Sequence, residues 1–84
     1  MTLDEALMLF KSKKAPVYLY TIGGLGDGDC WGIEHGEDGS WTVYFSERGA
    51  RRNPRLFATE ADAVAYFVSK VDGLMREYTG HGMN

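Results

Sequence analysis

The sequence predicts an α+β fold. A two-layer α/β sandwich is expected, with a three-stranded antiparallel meander carrying N- and C-terminal helices on one face, in the order α-β-β-β-α. Three observations predict it. Leu3, Ala6, Leu7 and Phe10 recur at helical spacing near the start. Val64, Phe67, Val68, Val71, Leu74, Met75 and Tyr78 do the same near the end. Between them, Trp41, Val43 and Phe45 alternate with Thr42, Tyr44 and Ser46, the period of a strand with one buried face. One apolar stripe per helix and one apolar face per sheet require two layers.

Each element has its own signals. Thr2 and Glu5 are spaced as a capping box, and Lys11, Lys13 and Lys14 suit the negative end of a helix dipole, so a helix is expected over residues 3–13. Pro16 excludes further helix, and the β-branched and aromatic run Val17–Ile22 reads as strand one. Gly23-Gly24-Leu25-Gly26-Asp27-Gly28 reads as a flexible connection. Strand two follows from about Asp29 to His35, with Trp31 and Ile33 on one face. Asp38-Gly39 supplies the positive φ angles of a hairpin loop, and strand three runs from Trp41 to Glu47. Arg48–Phe57, with Pro54 inside it, reads as an irregular link. Thr59 and Asp62 then repeat the capping logic and start the second helix. Gly73 would loosen that helix, and residues 79–84 read as a frayed tail on a single domain spanning 1–84.

Composition narrows the function classes. With 84 residues, 44% of them hydrophobic, the chain has material for one core and none for a second lobe. Two His and one Cys leave little for a catalytic constellation, and an enzyme is not expected. Cys30, His35 and His81 match no zinc spacing, and Asp27 and Asp29 lack the remaining ligands of a calcium loop. The glycine run is followed by a strand rather than a helix N-terminus, which removes the phosphate-cradling geometry. Neither a metal nor a cofactor is therefore expected. A net charge of −3 argues against nucleic acid as the general partner. The acidic N-terminus and the lack of a long apolar run predict a cytoplasmic protein without a membrane partner.

Two features carry binding potential. Arg48, Arg51, Arg52 and Arg55 fall within one short stretch and could grip phosphates or carboxylates; a solvated loop is the alternative. Strand parity supplies the other. With Trp31, Ile33, Trp41, Val43 and Phe45 facing the helices, the open face carries Cys30, Gly32, Glu34, Thr42, Tyr44 and Ser46. Placing Val17 and Leu19 in the core adds Tyr18 and Tyr20 to that open face. Three tyrosines on a small polar face suit a protein-binding surface, and equally suit ordinary cross-strand aromatic packing.

The segment Trp41-x-Val43-Tyr44-Phe45-Ser46-Glu47-Arg48-Gly49, followed by Phe57-x-Thr59-Glu60-x-x-Ala63 and Tyr66-Phe67, resembles small bacterial immunity proteins of the immunity protein 59 type. The match spans residues 41–68. This chain departs from the family pattern at Phe45, at Val64 and in its longer basic link. The resemblance implies core roles for Trp41, Val43, Phe57 and Ala63. It implies that Glu47, Arg48 and Glu60 fix the link from strand to helix or form contacts. It implies no catalysis, and a function of blocking a cognate toxin by occluding its active site. The expected contacts are Tyr18, Tyr20, Glu34 and Tyr44, with Asp27, Asp29, Glu37 and Asp38 as a second, acidic patch. Two other classes stay open: a nucleic-acid or nucleotide-binding module built on the Arg48–Arg55 loop, and a small structural or regulatory homo-oligomer, such as a homodimer, closed through the tyrosine face.

Overall fold

The structure, a computed structural model, describes residues 1–26 and 28–83. It is α+β, with helix α1 (Leu3–Ser12), strands β1 (Tyr20–Ile22), β2 (Cys30–His35), β3 (Trp41–Glu47) and β4 (Ala50–Phe57), and helix α2 (Glu60–Thr79). A single 3-10 turn, Val17–Leu19, precedes β1. The four strands form one mixed sheet in chain order. β1 runs parallel to β2, and β2, β3 and β4 form the antiparallel meander. The expected antiparallel meander of strands one to three holds only for β2 and β3: β1 lies parallel to β2, and the third antiparallel member is β4, which was expected to be an irregular link.

Both helices begin as their sequences dictate. The Thr2 hydroxyl accepts from the Glu5 amide at 3.2 Å and Glu5 accepts from the Thr2 amide at 2.7 Å, completing a capping box. Thr59 caps α2 by accepting from the Asp62 amide at 3.3 Å. Glu60, in the first turn of α2, reaches back to accept from the Leu3 amide at 3.0 Å, so one carboxylate ties the starts of both helices together. The core lies between α2 and the sheet and combines Ile33 and Val43 with Val64, Phe67 and Val71, all without solvent exposure. α1 joins it through Phe10, whose ring centroid lies 5.8 Å from Phe67 and 4.7 Å from Tyr20. Gly73 does not interrupt α2. The helix closes at Gly80, with φ 77°, and the tail expected to fray turns back. Met83 is buried, and its amide donates to Asp72 at 2.6 Å.

Three expectations are corrected. The Arg48–Phe57 link is a strand. Glu47 pairs with Ala50 across a two-residue turn whose residues Arg48 and Gly49 have φ of 51° and 77°, the type I′ geometry that matches strand twist. The Ser-Glu-Arg-Gly motif therefore closes a hairpin instead of steering the chain to the helix. Pro54 is tolerated because β4 is an edge strand and is bulged there. Arg52 pairs with Phe45 and Arg55 with Val43, leaving Asn53 (φ 49°) and Pro54 opposite Tyr44. Strand one is shorter than expected, because Val17–Leu19 forms the 3-10 turn, closed by the Leu19 amide donating to Pro16 at 3.1 Å. Among the described residues, no helix is long and apolar enough to cross a membrane.

The parallel pairing of β1 with β2 decides the rest of the architecture. A parallel neighbour needs a connection that returns along the sheet. Three residues of strand rise only about 10 Å, so a short connection suffices. Gly24 and Gly26 lie over the face of the sheet that the helices leave open.

Candidate functional site

The second face of the sheet is where the sequence placed a tyrosine surface. Parity is right for Tyr44, and its expected exposure is not. Tyr44 is 0% exposed. Its ring lies flat across Gly32, where an added Cβ would sit 2.4 Å from the ring, so glycine is what makes room. Its hydroxyl donates to the Gly24 carbonyl at 2.5 Å, and the Gly26 amide donates to the Ser46 hydroxyl at 3.1 Å. Gly26 approaches so closely that a Cβ there would meet the Cys30 sulfur at 2.4 Å. Cys30 and Ser46 are buried with Tyr44. Within the glycine run, Gly24 and Gly26 are thus tied to the sheet beneath as a cover, while Gly24, Leu25 and Gly28 keep exposed surface.

Beyond the cover, Glu34, Thr42 and Leu56 are cross-strand neighbours on the part of this face that stays accessible. Glu34 is half-buried and ion-paired with Arg51, whose guanidinium stacks on Tyr44 at 4.7 Å from the ring centroid. Burial pushes the Tyr44 phenol above its ordinary pKa; Arg51 opposes the shift and Glu34 adds to it. Glu34 is therefore held in a cluster of its own and is not a free acidic contact.

The other expected contacts separate. Tyr20 belongs to the helix side. It pairs in register with Trp31 and packs on Phe10, because the 3-10 turn resets the strand phase between Leu19 and Tyr20. Tyr18 is 61% exposed and stands 6.1 Å from the ring of Tyr78. Asp29 is exposed at the start of β2, while Glu37 and Asp38 are exposed in the β2–β3 hairpin at its far end. A strand of that length spans about 20 Å, so these carboxylates do not form one patch. Asp27 lies outside the described residues. Asp38 is committed locally. The Ser40 hydroxyl donates to it at 2.6 Å and the Ser40 amide at 3.0 Å, and these bonds hold its carboxyl below the usual range.

The arginines also diverge. Arg51 lies with Ser46 on the covered face, whereas Arg52 and Arg55 pair with Phe45 and Val43 on the helix side. Arg52 reaches Glu47 at 3.6 Å, and Arg55 lies over the rings of Phe57 and Tyr66 at 5.5 and 5.0 Å. No continuous basic surface results from the run. A homodimer through three tyrosines likewise loses its surface, since only Tyr18 of the three is exposed. Among the described residues, no three His, Cys, Asp or Glu side chains gather as a metal site would require.

What the structure assembles instead is an apolar patch at the β1 edge. Val17 is 77% exposed, and with Tyr18 and Leu25 it borders a cleft of about 290 Å³ between the 3-10 turn and the glycine cover. Tyr78, 52% exposed, extends the patch along the end of α2. Ile22, at the end of β1, is also largely exposed. From Val17 to Ile22 the chain carries no charge. Sequence reasoning assigned Val17 and Tyr78 to the core because both fit its apolar periodicities. A one-turn 3-10 segment has no periodicity long enough to reveal its outward side. Comparison of the chain with known family models, curated proteins and solved structures finds no match.

Proposed function

We propose that this chain is an immunity protein of the type its β3 motif resembles, acting in the cytoplasm by binding a cognate toxin and covering that toxin's active site. The observation that carries the reading is the uncharged, exposed patch of Val17, Tyr18, Leu25 and Tyr78 beside an edge strand. The two edges of the sheet are treated differently. β4 is defended by arginines, a bulge and Pro54, the devices that keep an edge from pairing. β1 has no charge, bulge or proline and is blunted only by its three-residue length, and large apolar side chains flank it. Exposed apolar groups contiguous with a sheet edge mark a surface built for another protein.

Size fits the task. A standard interface buries about 800 Å² on each partner, against a total surface of 5207 Å² for this chain. One patch of this kind can block a catalytic cleft without any chemistry of its own. Tyrosine is the residue type expected to dominate such a contact, through rigid area with a polar tip.

The test is binding of the purified chain to the toxin domain encoded beside it, with rescue of cells that express that toxin. Changing Tyr18 and Val17 to serine is expected to weaken binding at least ~30-fold, as loss of a hot-spot residue does, and to abolish rescue. Both side chains are exposed, so the urea midpoint should hold. Absence of binding and rescue by the unaltered chain would overturn the reading.

A further inference from the structure

On the helix side, between the C-terminal half of α2 and the β3–β4 hairpin, lies a groove of about 450 Å³. Trp31, Phe45 and Leu74 supply its apolar walls, and Lys70, Gly73 and Glu77 line it from α2. Lys70 lies over the rings of Trp31 and Tyr66 at 5.5 and 5.1 Å, and Arg55 shares the Tyr66 ring. Among the described residues, none of Lys70, Arg55 and Glu77 has an ion-pair partner, whereas Arg52 beside Phe45 is balanced by Glu47. The groove lining is therefore polarised, with the Lys70 cation at one end and the Glu77 carboxylate two helical turns away. Seven residues of helix place Lys70 and Glu77 about 10 Å apart.

Gly73 sits between them. A glycine within a helix disfavours it, and packing normally explains its presence. Packing does not explain this one: a Cβ at Gly73 would meet nothing within 4 Å. The fold has no use for the missing side chain, but the groove does, because any larger residue would narrow it over Trp31 and Phe45.

We infer that this groove is a docking site for a peptide segment of a protein partner. The segment seats one large apolar side chain against Gly73, Trp31 and Phe45, directs an acidic residue to Lys70, and directs a basic residue to Glu77. Alternate side chains of an extended chain share one face, so the acid and base stand two residues to either side of the anchor, a span of about 13 Å that flexible side chains close to the separation of about 10 Å. Charge complementarity at both ends selects a peptide over a nucleotide, since a polyanion laid along the groove would meet Glu77. The volume lies within the range of built ligand sites. This site is separate from the β1 patch and does not depend on the toxin reading.

The experiment is selection from a phage-displayed random peptide library on the full chain, followed by binding of the enriched synthetic peptides. Enriched sequences are expected to carry a large apolar residue flanked by an acid and a base. Gly73→Leu should weaken them at least tenfold while leaving the urea midpoint unreduced, because the site around Gly73 is open. Lys70→Glu should weaken them similarly, and a peptide with its acid changed to lysine should recover binding to that variant. The inference is overturned if no peptide is enriched, if enriched peptides bind Gly73→Leu equally well, or if adenosine monophosphate displaces them.

Discussion

The two faces of the sheet are closed by different physics. On the helix side, Ile33, Val43, Val64, Phe67 and Val71 come from three separate elements and pack as a conventional apolar core. On the opposite side Cys30, Tyr44 and Ser46 are equally buried, yet no helix or sheet covers them. Backbone does. Gly24 and Gly26 lie on the sheet, and hydroxyls of Tyr44 and Ser46 supply hydrogen-bond partners that a loop backbone otherwise lacks. A small domain can thus bury a second face without a third layer, provided that glycines allow the approach and side chains beneath satisfy the loop.

The largest expected effect lies on the helix side. Phe67→Ala removes a fully buried ring that meets Phe10 and α2's neighbours. Such truncations cost about 3–5 kcal/mol. A domain of this size has on the order of 5–10 kcal/mol in total, so the variant should retain half its stability or less. Urea denaturation should show a much lower midpoint with an unchanged slope. A loss under about 1 kcal/mol would mean that the core is not concentrated on this side, and the contrast would collapse.

Gly32→Ala asks whether the second face is also packed. On a solvated strand the change would be neutral or favourable by about 0.4–1 kcal/mol, since alanine restricts the unfolded chain. Here the added Cβ would stand 2.4 Å from the Tyr44 ring, which is itself pinned under Gly24. Overpacking of this kind costs about 1–3 kcal/mol, so the steric term wins and the melting temperature should fall by several degrees. An unchanged or raised melting temperature would show that Tyr44 is free to move and that the cover is loose.

Legibility in the sequence followed the same divide. The helices, β2, β3 and the apolar core were readable because long periodic patterns and capping pairs report directly on burial. β4 was not, because Ala50-Arg51-Arg52-Asn53-Pro54-Arg55-Leu56-Phe57 alternates poorly and contains proline, features that only an edge strand with a bulge accommodates. Its signal was present in Arg48-Gly49, a two-residue turn between Glu47 and Ala50. Parity put Tyr44 on the correct face but carries no information about what covers that face. The glycine run was read as freedom, when Gly26 is required by close approach, and nothing in the pattern showed that Gly32 makes room for a ring. For the expected contacts, the phase error at the 3-10 turn was decisive: it sent Tyr20 outward and Val17 inward, the reverse of their positions.

The smallest effect is the most selective probe of the cover. Tyr44→Phe keeps the ring over Gly32 and removes only the hydroxyl that donates to Gly24. Gly24 is exposed, so its carbonyl regains water and the loss should be near 1 kcal/mol, the net worth of one hydrogen bond. The signature lies in the pH dependence. The folded Tyr44 phenol titrates above its ordinary value of 10.0 because burial disfavours the phenolate. The unfolded chain therefore releases this proton first, and the stability tied to it is complete below pH 10 and declines as pH rises towards the folded pKa. Urea midpoints for the unaltered chain and for Tyr44→Phe should differ by a constant amount at neutral pH and converge in the alkaline range. A gap that stays constant through that range would mean that the phenol is not sheltered, and the glycine cover would then be a surface loop after all.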